Sequence, residues 1–416
     1  MTTFAGAPGK ARATGTGVTS RIVRVADLGA DDLAAWQRLA DSSLEPNPYF
    51  EPAVLGAAAR GLGGGRAVMA LVVADGSGWL AFLPFETVGR NRLWPARHAS
   101  LDGPFVERFA ALRAPLVDAA RPRLAVASLV EALHARRRAL GQAVDLPLLR
   151  ASGETTTLLL EAFARAGMPV REWDRISRGA LVPGPGPGPG QGQGPVRGPG
   201  PGPGSGAGQE AGDVLGPHLS TSRRKNLRRG RRHLVEELGH ELRIVDATDE
   251  PDVVEQFLDL EAAGWKGDRA KGGEARRVVP GAAAWFTGLV EAYRERGEAH
   301  VLRVGPAGAP VYLAVRVRRD GVVFSISDAY DPAWSAHSPG AWGRLLGMRL
   351  LAEVPGTVLV DSCIDPRRYP DETLLYPDRV DLVSVTCAVG SWPSRVLLSA
   401  IVAAGRVRRW VRERRG

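Results

Sequence analysis

A chain of 416 residues is longer than one ordinary hydrophobic core, so the sequence predicts two domains. Its 44% hydrophobic and 24% charged residues are typical of a globular protein, and its longest apolar run near the C-terminus reaches about half of a membrane span. The two cysteines, Cys363 and Cys387, exclude a disulfide framework, and the seven histidines show no metal-ligand spacing, so no metal is predicted. Because residues 1–20 lack the apolar core of a signal peptide, we expect a cytoplasmic protein without a transmembrane segment.

The net charge of +9 is concentrated in two short segments. Residues 223–232 carry seven positive charges and no acid, and residues 406–416 carry six arginines against the single Glu413. A local basic patch can bind a local anion. The candidate partners are therefore the phosphates of a cofactor, RNA or an acidic membrane surface, with a solvated helix face as the alternative.

Residues 20–182 alternate between helical and strand patterns, which predicts one mixed α/β domain after a disordered N-terminus at residues 1–19. Asp75-Gly76 separates two apolar runs and is typical of a strand hairpin, while Gly141 and Gly167 end predicted helices. The predicted helices are 31–40, 52–61, 124–140 and 155–166. The predicted strands are 68–74, 79–86, 144–149 and a further strand from residue 178.

Residues 183–212 separate the two halves and contain 8 prolines and 13 glycines. Within its runs glycine recurs at every second position rather than every third, which excludes a collagen helix. A segment with so few side chains to bury gains little from packing, so we expect a disordered linker that reaches roughly 30 Å.

Residues 213–393 are predicted to form a second α/β domain, followed by a basic helix at residues 394–416. A helix at 220–238 is capped by Ser220 or Ser222 and ended by Gly239. Three apolar runs parted by short glycine-containing breaks indicate an antiparallel meander at 299–304, 310–317 and 322–329. The other predicted elements are strands at 242–245, 357–361 and 380–388 and helices at 250–263, 282–296 and 340–353.

The loop that opens the helix at 340–353 is the most informative part of the sequence. It reads Ser338-Pro339-Gly340-Ala341-Trp342-Gly343. The free N–H groups and the dipole at a helix N-terminus suit an anion, especially a pyrophosphate. Pro339 has no N–H that would need a partner, and Gly340 and Gly343 would let a ligand approach the backbone. From these residues alone, an ordinary capped helix remains the alternative.

Four short motifs, in this order and spacing, resemble the CelD-like, FemAB-like branch of the GNAT superfamily. They are the basic helix at 222–234, Leu260 to Gly267, Ala329 to Pro332 followed by Ser338 to Gly340, and Val360 to Ser362. The N-terminal half matches more loosely, through Asn47 to Phe50, Leu83 to Phe85 and Ala114 to Asp118. The resemblance therefore covers most of the chain outside the linker and the basic tail.

This resemblance implies two tandem GNAT-like domains, each a mixed, mostly antiparallel sheet flanked by helices. It also implies an acyltransferase that uses acetyl-CoA or another acyl-CoA as co-substrate. Ser338, Pro339 and Gly340 would then lie at the pyrophosphate, with Ala341 and Gly343 in the same cofactor loop. The chain departs from the broader pattern because it lacks Arg or Gln before a Gly-x-Gly loop, and it lacks the branch's Gly-x-x-x-Tyr-Lys after the aspartate strand.

Acyl transfer from a thioester needs a neutral acceptor, a stabilised oxyanion and a thiolate that can leave. Asp361, at the end of its strand beside the loop, is the predicted base, with Asp328 and Asp365 as weaker candidates. A helix cap or salt-bridge partner is the alternative role for Asp361. Tyr330 or Tyr376 is predicted to protonate the thiolate, and a packed aromatic ring is the alternative for each.

The sequence thus predicts an N- or O-acyltransferase that acts on an amine or sugar-like acceptor, by resemblance in envelope or polysaccharide metabolism. One alternative is a FemAB-like transferase that depends on aminoacyl-tRNA. Another is a non-catalytic GNAT-fold protein that holds an anionic partner through its basic segments. The expected partners are a small-molecule or glycan acceptor, with tRNA and a peripheral membrane contact of the basic C-terminal helix kept open and no DNA.

Overall fold

The structure of the protein is a computed structural model that describes residues 12–13, 17–90, 94–184, 209–210 and 214–413. The chain divides into two compact units, Met1–Ser177 with Asp381–Gly416, and Arg178–Val380. The disordered segments predicted at 1–19 and 183–212 lie largely outside the described residues. Within them, the structure describes two short strands, at Arg12–Ala13 and Gln209–Glu210.

The elements before the linker confirm the predicted hairpin and most predicted helices. The helices are α1 (Ala30–Asp41), α2 (Ala57–Gly61), α3 (Pro122–Ala135) and α4 (Glu154–Arg165). The strands are β1 (Arg12–Ala13), β2 (Thr19–Arg24), β3 (Met69–Asp75), β4 (Gly78–Val88), β5 (His98–Ser100), β6 (Leu116–Val117), β7 (Ala143–Arg150) and β8 (Val170–Leu181).

The elements after the linker follow the predicted order. The helices are α5 (Thr221–Leu238), α6 (Val253–Ala263), α7 (Ala282–Arg294), α8 (Pro339–Ala352), α9 (Pro370–Thr373) and α10 (Trp392–Glu413). The strands are β9 (Gln209–Glu210), β10 (Arg243–Asp246), β11 (Ala299–Val304), β12 (Tyr312–Arg319), β13 (Val322–Tyr330), β14 (Leu359–Asp361) and β15 (Asp378–Ala388).

The first unit is built on a mostly antiparallel sheet. Strands β1 to β4 pair antiparallel in sequence order, β4 pairs with β5 and β6, and β5 runs parallel to β7. β15 then pairs antiparallel with β7, from Leu382 opposite Arg150 to Ala388 opposite Ala143. This pairing explains why residues from Asp381 belong to the first unit, whereas the sequence-based boundary kept residues up to 393 in the second.

The second unit repeats this arrangement. β9 to β13 pair antiparallel in sequence order, β14 runs parallel to β13, and the end of β8 pairs antiparallel with β14. α5 and α8 share a core with this sheet, and α6 and α7 contact it through β11, β12 and β13. The predicted mixed, mostly antiparallel α/β fold flanked by helices is therefore confirmed.

The pairing between β13 and β14 is short. It runs from Val322 opposite Leu359 to Phe324 opposite Asp361 and ends there. Just beyond, the register of β13 against β12 shifts, so that Ile326 is an extra residue between two paired neighbours. A β-bulge of this kind bends its strand. The last residues of β13 therefore keep β12 as a partner, while no ladder with β14 continues in the described part of the chain.

Helix α8 packs on the sheet through a stripe of glycines. A Cβ atom on Gly347 would lie 2.9 Å from the Leu302 side chain, and a Cβ on Gly340 would lie 3.2 Å from the Tyr330 ring. A Cβ on Gly343 would overlap the Tyr312 ring. Gly343 and Gly340 thus bring the helix backbone against aromatic rings of β12 and β13, and Gly347 brings it against Leu302 of β11.

Gly343→Ala should destabilise the second unit, by roughly 1–3 kcal/mol, because the added methyl group has to displace the buried Tyr312 ring. Thermal unfolding followed by circular dichroism measures the change. Gly288→Ala in the exposed part of α7 is the matched control, since nothing lies within 4 Å of its Cβ position. That control should gain stability through helix propensity. Equal effects of the two variants would contradict the packing described for α8.

Candidate functional site

Two residues with positive φ lie in the segments that follow β13 and β14. Ser338 (φ 56°) immediately precedes α8, and Cys363 (φ 55°) follows β14. Such conformations are unfavourable for residues other than glycine and collect at functional sites. Asp320 (φ 47°), in the same unit, belongs to the tight turn between β12 and β13. The turns at Ser338 and Cys363 therefore mark a candidate site.

The first turn of α8 uses most of its own donors. Pro339 has no N–H, and the N–H groups of Ala341 and Trp342 donate to the carbonyl of Ser338 at 3.1 and 3.2 Å. The Ser338 side chain is exposed and does not cap the helix. The N–H of Gly340 has no acceptor among the described residues. One backbone donor, at the positive end of the helix dipole, thus remains for a ligand.

The predicted loop residues have two different surroundings. Ser338 is exposed, whereas Pro339, Gly340, Ala341 and Gly343 are buried. Gly340 and Gly343 face Tyr330 and Tyr312, so both glycines serve the close approach of aromatic rings, a use that the sequence did not predict. Tyr330 itself is 41% exposed.

The basic helix α5 packs directly on this loop. The indole Nε1 of Trp342 donates to the carbonyl of Leu227 at 3.1 Å, and Gly230 allows close contact with the carbonyl of His337. A hydrogen bond of 3.1 Å links His337 to Glu237. The concentrated positive charge of α5 is therefore held beside the start of α8.

The predicted base, Asp361, is completely buried. One carboxylate oxygen accepts from Arg178 Nη2 at 2.6 Å, and the other accepts from the N–H of Cys363 at 3.0 Å. The carboxylate thus joins β14 to β8 and fixes the turn at Cys363. The alternative role weighed for Asp361, a salt-bridge partner, is present, while its role as a base remains a prediction.

A polar cluster lies between β12, β13, α8 and α9. Asp328 accepts from Arg344 Nε at 2.6 Å, from Arg344 Nη2 at 3.1 Å and from the Tyr312 hydroxyl at 3.2 Å. Arg344 also forms an ion pair with Glu372. Arg316 donates to the Tyr312 hydroxyl at 3.3 Å and to the carbonyl of Ser327 at 3.0 Å. We name Asp328, Arg344, Tyr312, Arg316, Glu372 and the buried Tyr376 the Asp328 cluster.

The charges of this cluster fix its protonation. Burial acts to raise the pKa of Asp328, but the cations Arg344, Arg316 and Lys266 outweigh burial and hold that pKa well below its usual range. Burial raises the pKa of Tyr376 to about 12 against the opposing charges of Arg316 and Arg344. Burial also raises the pKa of Tyr312. At neutral pH, Asp328 is therefore ionised and both phenols are hydrogen-bond donors.

A second ion pair supports the end of β13 from α6. Glu261 pairs with Arg276, whose Nη1 also donates to the Ser327 hydroxyl at 3.2 Å. Lys266 Nζ donates to the carbonyl of Asp328 at 3.3 Å. Neither Arg276 nor Arg316 was predicted. The available signal was an arginine at a buried position of a strand, in Val315-Arg316-Val317.

The chain shares a recognisable domain with known proteins. Residues 221–362 match the family model described as acetyltransferase (GNAT) domain. The matched segment starts at α5 and ends just after β14, so it contains the bulge in β13, α8 and most of the Asp328 cluster. Most of the second unit is therefore similar to a GNAT domain. The predicted resemblance to the GNAT superfamily is thereby confirmed, whereas the CelD-like, FemAB-like branch remains a prediction. The shared strand arrangement of the first unit agrees with tandem GNAT-like domains.

Several solved structures are similar over most of their length. The C-terminal domain of a putative lysylphosphatidylglycerol synthetase from Agrobacterium fabrum has 13% identity and a TM-score of 0.46, over 90% of this chain and 96% of that one. FemX has 8% identity and a TM-score of 0.46, over 84% and 95%. A tandem GNAT protein from the clavulanic acid biosynthesis pathway has 13% identity and a TM-score of 0.37, over 90% and 99%. No curated protein matches the chain.

Arg178→Met should lower the stability of the second unit by about 3–5 kcal/mol, because it leaves the carboxylate of Asp361 buried without its cation. Urea unfolding measures the loss. Arg178→Met combined with Asp361→Asn should lose less than Arg178→Met alone, since Asn still accepts the N–H of Cys363 and carries no charge. A double variant as unstable as the sum of the single variants would contradict the pair.

Asp328→Asn should lose roughly 1.5–3 kcal/mol of stability at neutral pH, because Arg344 loses a charged partner. A carboxyl group whose pKa is lowered by folding stabilises the protein above its unfolded pKa of about 3.9, and this contribution is lost as pH falls further. The difference in the free energy of unfolding between wild type and Asp328→Asn should therefore become smaller below about pH 4. Urea unfolding at several pH values measures this difference.

Tyr312→Phe is the matched control for this pH dependence. It removes one hydrogen bond to Asp328 but leaves the charged pair with Arg344 in place. Its pH profile should keep the shape of the wild-type profile. If the difference in unfolding free energy between wild type and Asp328→Asn did not change with pH, the charges assigned to the cluster would be contradicted.

Proposed function

We propose that this protein is an acyl-CoA-dependent acyltransferase of the cytoplasm, with acetyl-CoA as the favoured donor. It transfers the acyl group to an amine or hydroxyl of a small-molecule or sugar-like acceptor, in envelope or polysaccharide metabolism. The observation that carries the proposal is the start of α8. There, the unpaired N–H of Gly340 and the positive helix end lie within a matched GNAT domain.

The start of α8 is the proposed site of the CoA diphosphate. The helix dipole and the N–H of Gly340 attract an anion, and the buried Pro339, Ala341 and Gly343 hold the turn in place. α5 adds positive charge beside this turn. Its residues Lys225, Arg228, Arg229 and Arg232 are exposed, so an anion at this turn would lie beside a positively charged helix.

The end of β13 is the proposed site of the pantetheine arm of the acyl-CoA. Beyond the bulge this strand has no further ladder with β14 in the described residues, so one strand edge is available. An extended ligand with amide groups can pair with such an edge. The pantetheine arm of CoA, which ends in the acyl thioester, carries two amides, which fits this arrangement.

The Asp328 cluster supplies hydrogen bonds and rigidity in this proposal. A phenol with a pKa of about 12 holds its proton more tightly than a thiol of ordinary pKa, about 8.5. Tyr376 is also buried, so we assign it to the support of the cluster, and the predicted proton transfer from Tyr376 is not part of the proposed mechanism. Tyr330, which is exposed beside Gly340, is the alternative donor at the mouth of the site.

We assign Asp361 as a positioning residue in the proposed mechanism. A general base has to reach the proton that it removes, and Asp361 is completely buried against Arg178. Asp328 is a weak base because its pKa is held low. The acceptor is then bound in its neutral form or loses its proton to water, and the site contributes orientation and charge stabilisation.

Ser338→Asp should weaken the thermal stabilisation by acetyl-CoA and by free CoA, since it places a negative charge at the diphosphate site. Without ligand, the same variant should keep or gain stability, because a negative charge favours a helix N-terminus. Ser338→Asn is the matched control, since both side chains tolerate positive φ. Differential scanning fluorimetry with increasing ligand measures both effects.

An equal ligand effect in both Ser338 variants would contradict this placement of the diphosphate. No stabilisation of wild type by any acyl-CoA, together with no release of free thiol with any acceptor, would favour a non-catalytic GNAT-fold protein. If a longer acyl-CoA stabilised the protein more than acetyl-CoA did, the longer acyl-CoA would be the favoured donor, and the proposed site would be unchanged.

A transferase that depends on aminoacyl-tRNA is the second candidate. The exposed, acid-free stripe of α5 from Lys225 to Arg232 is the observation that favours it. This candidate requires binding of tRNA that weakens steeply with salt, and no stabilisation by acyl-CoA. Fluorescence anisotropy with labelled tRNA at several salt concentrations separates the two candidates.

A further inference from the structure

Helix α10 exposes large apolar side chains. Trp392 is 75% exposed, Val396 45% and Leu397 39%. Ala400 and Ala403 are exposed as well, and with Trp392 and Val396 they follow the spacing of one helix face. An apolar face of this kind on a fixed helix indicates an interaction surface.

The opposite side of α10 is fixed to the first unit. Leu398 is completely buried in a small core with Trp94, Ala143 and Ala388. Arg395 donates to the carbonyls of Ala166 and Gly167, both at 3.2 Å, just beyond the end of α4. The start of the helix is therefore anchored, and the exposure of Trp392 and Val396 does not come from a detached helix end.

The sequence continues this pattern along the rest of α10. The apolar spacing continues in the sequence with Val407, Trp410 and Val411. Between and beside them the sequence has four arginines, Arg406, Arg408, Arg409 and Arg412, and a single acidic residue, Glu413. The 22 residues of the helix span about 33 Å. Among the described helices, none combines the length and apolar character needed to cross a bilayer.

We propose that α10 docks the protein on an anionic lipid bilayer, lying in the plane of the headgroups. Trp392 and Val396 enter the boundary with the acyl chains, and the positive charge of the sequence from Arg406 to Arg412 attracts the lipid phosphates. Charge decides between this occupant and a second copy of the chain, because two arginine-rich helices repel each other and an anionic surface attracts both. Tryptophan is also favoured at membrane interfaces.

The test is flotation of the full-length protein with vesicles. Wild type should float with phosphatidylcholine vesicles that contain about 30% phosphatidylglycerol. With pure phosphatidylcholine vesicles it should remain in the unbound fraction at the bottom of the gradient. Raising the salt from about 0.05 M to about 0.5 M should weaken binding. Trp392→Ser with Val396→Ser should weaken it at least about tenfold, through the lost apolar contact.

Two matched variants separate the two components of the surface. Leu124→Ser with Leu160→Ser removes exposed apolar side chains of the same unit that are 40% and 38% exposed, and it should leave flotation unchanged. Replacing Arg406, Arg408, Arg409 and Arg412 by Gln should abolish the preference for anionic vesicles, whereas replacing them by Lys should keep it. Thermal unfolding and acetyl-CoA stabilisation of the Trp392→Ser, Val396→Ser variant should match wild type, which excludes misfolding.

Two outcomes would overturn the proposal. One is that the wild-type protein does not float with anionic vesicles. The other is a protein that forms a dimer by light scattering and becomes a monomer in the Trp392→Ser, Val396→Ser variant, because a second copy then covers the face.

Discussion

The ion pair between Asp328 and Arg344 is the interaction on which the candidate site depends. It joins the end of β13 to the second turn of α8 through two guanidinium nitrogens, at 2.6 and 3.1 Å. Largely buried charges are tolerated only when their remaining donors and acceptors have partners. Here the Tyr312 hydroxyl and Glu372 supply them. The position of Ser338 and Gly340 relative to the strand follows from this pair.

Both units place an aspartate at the same point of their sheets. Asp361 on β14 lies opposite Phe324 of the parallel strand β13, and Asp145 on β7 lies opposite Ser100 of the parallel strand β5. Asp145 is hydrogen-bonded to His98 at 2.8 Å and to Thr386 at 2.5 Å. Burial acts to lower the pKa of His98, and Asp145 reverses the shift and raises it. A buried carboxylate with a polar partner thus accompanies the parallel strand pair in each unit, which agrees with a positioning role for Asp361.

Local signals in the sequence predicted local structure well. Ser220 caps α5 by accepting the N–H of Arg223 at 3.2 Å, and Gly239 ends the helix with a φ of 72°. Asp320-Gly321 forms the turn of a hairpin as expected. These features depend on a few neighbouring residues, so a short window of sequence contains the necessary information.

Long-range pairings and close packing could not be predicted in the same way. Nothing near residues 382–388 indicates that they pair with residues 143–150. A glycine at position 340 or 343 is compatible with the approach of a ligand or of an aromatic ring, and only the fold shows that Tyr330 and Tyr312 lie against these two residues. Arg316 was missed because an apolar strand pattern hides a charge whose hydrogen-bond partners are Ser327 on the neighbouring strand β13 and Tyr312, four residues away on β12 itself. Asp328 and Tyr376 were named from the sequence as candidate site residues, but their neighbours Arg344, Tyr312 and Arg316 were not predicted.

The glycine stripe of α8 has a consequence for the order of folding. Gly343 and Gly347 lie inside the helix and together disfavour it by about 2 kcal/mol relative to alanine. A 14-residue segment is already marginal as an isolated helix. α8 therefore forms on the completed meander, where Tyr312 and Tyr330 receive its backbone, and it does not act as a nucleus. The turn at Ser338 and Gly340, which we propose as the diphosphate site, is then expected to form only after the strands have assembled and to be lost when the sheet opens locally.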